Sequence, residues 1–405
     1  MAQSISTLDT ILVFAQNALV GLVFLFFFIL IIYFGIKAYF WYLRFKNRTR
    51  SLKEKAFFKI QITEDNEIEP VAAEQMYSSI YGIRKSGFLN LLKEQDHVSF
   101  EIVANNSSIE FYAVCPIHLE NLVEKQINAV FPSAELTKVK PWNIWNQGGH
   151  VEFKSLALKK ENYLPINTYE EMKVDSIAVL TSAMSKLHEN EGLALQILVR
   201  PADDNWQKIG KEHIKSYFAK HNQNDKDGKS VGSKLSKIDE DYMQKIQDKI
   251  SKVGFETVIR IVSVAPDVAS AKANLSNLER SFGQFNNPSF NSFGGTVDRY
   301  QKYFVQSFIS RMFPIVEKIN LPFEIPKILK KEWFKGWSVL NTEELATLWH
   351  LPNENVKTPR INWLRSRGSA APIELPESGL YLGKSVFRSD EVKIFMEDED
   401  RRRHM

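Results

Sequence analysis

The stretch that decides the fold reads HVSFEIVANNSSIEFYAVCP and runs from His97 to Pro116. Apolar residues alternate with polar ones over 98–102, and the alternation returns over 109–113. Such a period of two is typical of β-strands that bury one face. Residues 105–108, Asn-Asn-Ser-Ser, have the short polar side chains that favour a turn. The stretch therefore predicts a β-hairpin.

A helix and a strand follow the hairpin. Apolar residues recur at helical spacing over 119–131, Pro132 ends that helix, and residues 135–139 return as a strand. A second set of elements begins at Asp175, a good helix N-cap, and reads helix, strand, two helices, strand and helix as far as residue 285. Together the two sets predict the α+β class. We expect ferredoxin-like α/β sandwich modules, with the strand pairing left open.

The same patterns divide the chain into six parts. A polar stretch over 221–237 predicts a mobile loop inside the second module, and Asn341 followed by Glu344 predicts a capping box on a short helix. The six parts are a short extracytoplasmic N-terminus (1–10), a transmembrane helix (11–43), a basic juxtamembrane segment (44–73), a first α+β module (74–165), a second α+β module (166–290) and a helical and linker region (291–405).

The transmembrane helix is predicted from residues 11–36, which read ILVFAQNALVGLVFLFFFILIIYFGI and contain no ionisable side chain. At about 1.5 Å per residue this stretch forms ~39 Å of helix, longer than the ~30 Å hydrocarbon core of a bilayer. A cleaved signal peptide would need positive charge before a shorter apolar core, and only Asp9 is charged there. The remaining alternative is a helix buried in the core of the protein.

Basic residues collect directly after this helix. Residues 37–59 hold eight lysines and arginines against one acid, Glu54, whereas the whole chain has a formal net charge of only +4. The positive-inside rule predicts a single pass through the inner (cytoplasmic) membrane, with the N-terminus outside and the long C-terminal part in the cytoplasm. The side chains expected to contact anionic lipid, or a DNA backbone non-specifically, are Lys37, Arg44, Lys46, Arg48, Arg50, Lys53 and Lys55.

Motifs for catalysis or cofactor binding are weak. The single cysteine, Cys115, excludes an internal disulfide and a cysteine-pair zinc site, and we expect no catalytic residue, no cofactor and no metal. Residues 379–385 read GLYLGKS, one residue short of the phosphate-binding loop GxxxxGKS/T, and an ordinary turn is the favoured interpretation. Cys115 and His118 have the spacing of a nucleophile and a base, but a buried cysteine beside a surface histidine is the simpler interpretation.

Several blocks of the sequence resemble one family in the right order. They are residues 97–136, LALQILVRPADDNW at 193–206, LNTEELATLWHLP at 340–352 and EDEDRRRHM at 397–405. Together they are similar to the N-terminal region of TraG-type conjugative coupling proteins, and more narrowly to membrane-anchored type IV secretion ATPases of small-genome candidate-phylum bacteria. In that family the text similar to 397–405 leads into the Walker A strand of a motor, which does not follow here.

The resemblance implies an accessory region that positions or recruits substrate for a DNA-translocating ATPase and has no ATPase site of its own. Its implied partners are the lipid bilayer, an ATPase motor domain, other secretion-channel proteins, non-specifically bound DNA and further copies of the chain in a homo-oligomer. Whether the chain is a fragment, the product of a split gene or a complete protein stays open. The alternative is a free-standing membrane-tethered scaffold that binds protein and has no part in DNA transfer. An enzyme that uses Cys115 and His118 ranks third.

Overall fold

The computed structural model describes residues 2–51, 54–85, 95–145, 148–221, 237–296, 301–314, 337–365, 371–372, 374–387 and 390–404. The chain divides into two compact units. The first comprises residues 1–54 and 85–95, and the second comprises residues 55–84 and 96–405.

The first unit contains one long helix, α1 (Ala2–Ser51). Within it, Ile11–Ile36 has a mean hydropathy of 3.0, and no part of its most apolar window is buried. A core helix of a soluble protein is mostly buried, so the exposure of this window favours the membrane interpretation. By length and composition the helix can cross a membrane, a property that a signal sequence shares.

The second unit is built on one antiparallel sheet with helices, a mixed arrangement that agrees with the α+β class. Its first half supplies six elements. In chain order they are β1 (Lys55–Gln61), α2 (Val71–Ile80), β2 (Val98–Asn105), β3 (Ile109–Pro116), α3 (Glu120–Val130) and β4 (Glu135–Lys138). These four strands lie side by side in the order β4-β1-β3-β2.

The second half repeats this plan with one addition. Its elements are β5 (His150–Leu158), α4 (Ser176–Met184), β6 (Gly192–Pro201), α5 (Asn205–His221), α6 (Lys237–Ser251), β7 (Gly254–Ala265), α7 (Val268–Ser281) and β8 (Phe293–Thr296). The strand order is β6-β7-β5-β8, the mirror sequence of the first half. The helices α5 and α6 stand where the first half has only the hairpin turn between β2 and β3.

The halves join through their second strands. β2 and β6 pair antiparallel along eight residues, from Val98 opposite Val199 to Asn105 opposite Gly192. The result is a single continuous sheet with β4 and β8 at its ends, and β9 (Ser338–Asn341) pairs beside the beginning of β7. The strands β2, β6 and β7 are buried along almost their whole length, which requires cover on both faces of the sheet.

The cover differs between the two faces. One face packs against α2, α3, α4, α7 and a short helix α9 (Thr342–Leu348) in the largest apolar cluster. The opposite face is covered by α8 (Gln301–Ile309) and the stretch around Trp142 and Trp145, with Phe304 and Phe308 at its centre. The remaining described elements are the exposed hairpin β10 (Leu380–Phe387) and β11 (Asp390–Met396), followed by α10 (Asp398–His404).

Local expectations from the sequence are confirmed. The Asn105 side chain accepts hydrogen bonds from the backbone N–H groups of Ser107 and Ser108 at the predicted turn. Asp175 caps α4, and Asn341 with Glu344 forms the predicted capping box. The predicted mobile loop lies almost entirely outside the described residues.

The predicted segment boundaries differ from those of the structure. β1 lies in the range assigned to the basic juxtamembrane segment. Its buried residues Ala56, Phe58 and Ile60 alternate with half-buried ones, of which only Phe57 is apolar. β8 and β9 belong to the same sheet although they fall in the range assigned to the helical and linker region. Helix α1 also extends beyond 11–43 at both ends.

Candidate functional site

The side chains expected to contact lipid or DNA are described only in part. Lys37, Arg44, Lys46, Arg48 and Arg50 belong to α1, but their side chains lie outside the described part, as does all of Lys53. Lys55 lies in β1, and its Nζ donates hydrogen bonds to the carbonyl oxygens of Ser310 at 2.8 Å and Arg311 at 3.1 Å. The structure therefore gives Lys55 a role in holding the segment after α8, and its contact with lipid or DNA stays a prediction.

The pair Cys115 and His118 lacks the geometry of a nucleophile and base. Cys115 is buried in the core, and burial raises the pKa of its thiol to about 12. His118 is exposed and its Nε2 lies 3.0 Å from Asp96 Oδ2. Because a thiolate is the reactive form, a thiol with so high a pKa is inert at neutral pH.

The stretch resembling a phosphate loop lies in a strand. Residues 380–387 form β10, which pairs antiparallel with β11, and Lys384 Nζ donates to Glu391 Oε2 at 2.6 Å. A phosphate loop needs successive backbone N–H groups that point inward at a helix N-terminus. The strand geometry excludes such a loop. The ordinary turn that we favoured from the sequence is also wrong, because residues 380–387 form a strand.

A buried polar row crosses the face of the sheet that α8 covers. Glu101 of β2, Gln196 of β6 and Arg260 of β7 are direct cross-strand neighbours. The Gln196 side chain donates to Glu101 Oε1 at 3.0 Å and accepts from Arg260 Nη1 at 3.3 Å. All three side chains are buried. The row therefore links the two halves of the sheet through charge-assisted hydrogen bonds.

Arg311 completes this row from the end of α8. Its Nε and Nη2 donate to the two carboxylate oxygens of Glu101, each at 3.0 Å, in the two-pronged geometry typical of strong arginine–carboxylate pairs. The guanidinium also lies over the ring of Trp142, 4.9 Å from the centroid. Arg311 has a φ of 51°, a left-handed conformation that is uncommon outside glycine, so these contacts hold a strained turn in place.

The carbonyl groups of the same turn are also satisfied. His97 Nε2 lies 2.6 Å from the Arg311 carbonyl oxygen, and Arg260 Nη2 donates to the Met312 carbonyl oxygen at 2.6 Å. Burial by itself raises the pKa of Glu101, but the charge of Arg311 and hydrogen bonds from Arg311, Ser99 and Trp142 outweigh it and lower the pKa overall. Glu101 is therefore a charged anchor for α8 at neutral pH.

A cavity of about 280 Å³ opens beside α6 and α9. Its lining is almost entirely polar and includes Lys249, Lys252, Glu343 and Glu344. Lys252 donates to Glu343 at 2.8 Å and to Glu74 at 3.0 Å. Small-molecule sites are usually lined by apolar and aromatic side chains with few polar groups, so this cavity lacks their character.

The floor of the cavity is a buried ion pair between Lys249 and Glu344, 2.9 Å apart. Lys249 Nζ also donates to the Leu164 carbonyl oxygen at 3.0 Å, and Glu344 accepts from the backbone N–H groups of Ile166 and Asn341. Burial lowers the pKa of Lys249 and raises that of Glu344, in each case against the opposing charge of its partner. Both groups are fully engaged in joining three segments, which makes the pair structural.

Sequence reasoning missed these buried polar groups. A third example is His350, whose Nδ1 lies 2.7 Å from the Ala346 carbonyl oxygen and whose Nε2 lies 3.1 Å from Asp175 Oδ2. The paired side chains are far apart in the chain, as in Glu101 with Arg311, Lys249 with Glu344 and Asp175 with His350, so no spacing in the sequence indicates them. Among the residues that the structure describes, no group of three or more His, Cys, Asp or Glu side chains is arranged to hold a metal ion.

A family model described as a domain of unknown function, DUF8128, matches residues 47–364. The chain belongs to this family. The DUF8128 range spans both halves of the sheet together with α8, β9 and α9, so it covers the buried polar row and Arg311.

Other comparisons add no functional information to the DUF8128 assignment. No curated protein matches the chain. Among solved structures, aclacinomycin oxidoreductase is similar with a TM-score of 0.27 and 11% sequence identity, over 57% of this chain and 41% of that one. The matched part thus spans less than half of the oxidoreductase chain, and a TM-score this low supports neither a shared fold nor a shared activity.

Proposed function

We propose that this chain is a single-pass membrane protein that acts as the accessory region of a type IV secretion coupling protein, where it positions or recruits substrate for a DNA-translocating ATPase. It has no enzyme activity of its own. The observation that carries the proposal is the apolar helix Ile11–Ile36, whose side chains are exposed to solvent along its length. So much exposed apolar surface is stable only in a bilayer or against another apolar partner.

The proposal includes two ferredoxin-like halves in the second unit, residues 55–84 and 96–405, which we call the body. Apart from the added α5 and α6, each half runs strand, helix, strand, strand, helix, strand, and the order β4-β1-β3-β2 with its mirror β6-β7-β5-β8 supports this identification. The coupling role is supported by the sequence blocks alone. Two of those blocks contain β2 and β6, where the halves join.

Membrane topology is tested with engineered cysteines in the full-length protein, expressed in bacterial cells and treated with a membrane-impermeant maleimide. Cys115 is 1% exposed and gives little background. Gln3→Cys should be labelled in intact spheroplasts, because the N-terminus lies outside. The matched variant Ser107→Cys, at an exposed turn of the body, should be labelled only after the membrane is opened. Labelling of Ser107→Cys in intact spheroplasts would overturn the orientation, and release of the protein by alkaline carbonate would overturn the anchor.

Contact with DNA is tested with the full-length protein in nanodiscs and a fluorescent DNA duplex. The logarithm of the observed binding constant should fall linearly with the logarithm of the salt concentration. The slope should be about −0.9 for each phosphate contact. Replacing Lys37, Arg44, Lys46, Arg48 and Arg50 with glutamine should flatten that slope. A control variant with five exposed body lysines replaced should leave it unchanged; the control positions are Lys125, Lys140, Lys160, Lys173 and Lys186.

The second candidate function is a membrane-tethered scaffold that binds protein and not DNA. The observation in its favour is the nearly neutral body, since the formal charge of the whole chain is +4 and the basic excess lies in residues 37–59. No DNA binding at low salt, together with a membrane-anchored chain, would support this scaffold and remove DNA contact from the proposal.

A further inference from the structure

The exposed hairpin of β10 and β11 is a small sheet of its own. Among the described strands, these two pair only with each other. Several of its large side chains are exposed, from 39% at Leu380 to 53% at Tyr381 and Leu382, and Val392 is 40% exposed. A hairpin of two strands is marginally stable in water, and a third strand or an apolar partner usually stabilises it. The described residues supply no third strand.

The two faces of β11 differ in character. Alternate residues of a strand point to opposite faces, so Val392, Ile394 and Met396 lie on one face, and Glu391 and Lys393 lie on the other. The first face is therefore apolar and the second is charged.

The charged face contains a lysine in an unfavourable position. Lys393 lies directly opposite Lys384 of β10, and like charges in this arrangement are destabilising. Lys384 Nζ donates to Glu391 Oε2 at 2.6 Å, diagonally across the hairpin. Within the described residues, no acidic side chain forms an ion pair with Lys393, which is exposed. An acid placed beyond the outer edge of β11 would offset the repulsion.

The two edges of the hairpin are not equally open. The register of β10 is interrupted between Tyr381 and Gly383, and such a bulge twists an edge and hinders further pairing. β11 has no interruption of this kind. The backbone N–H and C=O groups of its alternate residues point away from β10, and no described strand pairs with them. The outer edge of β11 is therefore the one that can accept another strand.

We propose that β11 pairs antiparallel with β11 of a second copy, about a two-fold axis at Val392. This axis places Val392 opposite its own counterpart and Glu391 opposite Lys393 of the second copy. The pair of Glu391 and Lys393 occurs twice, so each Lys393 gains an acidic neighbour. The result is a four-stranded sheet with one continuous apolar face, which is the usual requirement for a stable sheet.

The sequence of β11 fits a second copy. Residues 391–393 read Glu-Val-Lys, so reversing the direction of the strand places each charge opposite its complement. Moving the axis to Glu391 or to Lys393 would place like charges opposite each other, so charge specifies the register. A lipid surface would cover the apolar face but would not supply the strand that the free edge can accept.

Membrane anchoring makes a contact of this size effective. Exposed ion pairs contribute little one at a time, but anchoring raises the local concentration of copies. The inference rests on the proposed function only for this anchor and does not need a role in DNA transfer. Vesicle flotation reports on the anchor separately, so loss of anchoring is distinguishable from loss of association.

Association is tested by energy transfer between full-length copies labelled at Ser107→Cys and reconstituted in lipid vesicles. Lys393→Glu should weaken association about ten-fold, because both pairs across the axis become repulsive. The same change places a carboxylate opposite Lys384, so it should stabilise the hairpin within each copy. Glu391→Lys should weaken association as well. The matched control is Lys173→Glu, an exposed lysine elsewhere on the body, which should leave association unchanged.

The deciding experiment mixes the two variants. A donor-labelled Glu391→Lys copy and an acceptor-labelled Lys393→Glu copy face each other with opposite charges at both positions, so energy transfer should return to the wild-type level. A variant that fails to fold cannot produce this recovery. No recovery in the mixture, with normal circular dichroism spectra, would overturn the proposal. So would unchanged energy transfer in each variant alone.

The register is tested by disulfide cross-linking of Val392→Cys in the same vesicles, with copper phenanthroline as the oxidant. Directly opposite residues of antiparallel strands have Cα atoms about 4.5–5.5 Å apart, within the reach of a disulfide. The matched control is Ser385→Cys, since Ser385 lies opposite Val392 in β10 and would be about 14 Å from its counterpart, three strand spacings away. Val392→Cys should form covalent dimers much faster than Ser385→Cys, and equal rates would contradict the proposed pairing.

Discussion

Replacing Arg311 with methionine should destabilise the body strongly, because the change leaves the Glu101 carboxylate buried without its positive partner. Glu101 is 0% exposed and its two oxygens receive five hydrogen bonds, of which Arg311 donates two. Methionine keeps an apolar side chain of similar length beside Trp142, so the substitution removes charge and hydrogen bonds with little loss of packing.

The magnitude follows from the burial of the pair. Removing one partner of a buried ion pair costs about 3–5 kcal/mol, whereas an exposed pair contributes about 0–1 kcal/mol. The matched control is Arg84→Met, since Arg84 pairs with Asp204 at 2.9 Å but both side chains are more than a third exposed. The double variant Glu101→Gln with Arg311→Met should recover part of the loss, because no buried charge remains unpaired.

The assay is urea unfolding of the full-length protein in detergent, followed by tryptophan fluorescence, with the free energy of unfolding compared between variants. Hydrogen exchange of the α8 amides should rise in the same variant, since Arg311 holds the end of that helix. A loss below about 1 kcal/mol for Arg311→Met, equal to that of Arg84→Met, would refute the description of Glu101 as a buried charge.

The pair of Glu101 and Arg311 should also make the free energy of unfolding depend on pH. The pKa of Glu101 is lowered in the folded state, so its contribution to stability is fully present above the ordinary carboxyl pKa of about 4.3. That contribution is lost as the pH falls through the lower, folded-state pKa. The wild type should therefore lose more stability between neutral and acidic pH than Glu101→Gln does.

Three further outcomes are expected from single positions. Asn341→Ala removes the capping-box acceptor of α9 and should cost about 1 kcal/mol in urea unfolding. Gly254→Ala should cost about 1–3 kcal/mol, because the new Cβ would lie 2.5 Å from the Trp206 ring, whereas Gly283→Ala has nothing within 4 Å and should be nearly neutral. Cys115 in the folded protein should react with a maleimide at pH 8 far more slowly than in urea, because the thiol is buried and its pKa is about 12.

Features that depend on neighbouring residues could be predicted from the sequence. The hairpin at 98–116 and the caps at Asp175 and Asn341 each depend on side chains within a few positions of one another. The apolar run 11–36 is equally local. In these cases the pattern and the structure are governed by the same short-range geometry.

Features that depend on the second face of the sheet could not be predicted. The period-two pattern places Glu101 on the side opposite the apolar residues of β2, which alone indicates contact with solvent. The structure buries it because α8, about 200 residues later, covers that side. Strand β1 was missed because Lys55 and Lys59 look like part of the basic segment, although both engage groups of the body. Strand β8 is only four residues long and contains two glycines, so it carries almost no pattern.

The union of the two halves through β2 and β6 has a consequence for folding. Their pairing connects residues about ninety positions apart, so the centre of the sheet closes late and folding should be slow. Until it closes, each half presents a strand of eight or more residues with a free edge, which is the usual template for aggregation. Either half produced alone would keep that edge permanently, whereas a protease cut in the connection between β4 and β5 should leave two pieces that stay together. We therefore expect the body to fold as one cooperative unit despite its repeated plan.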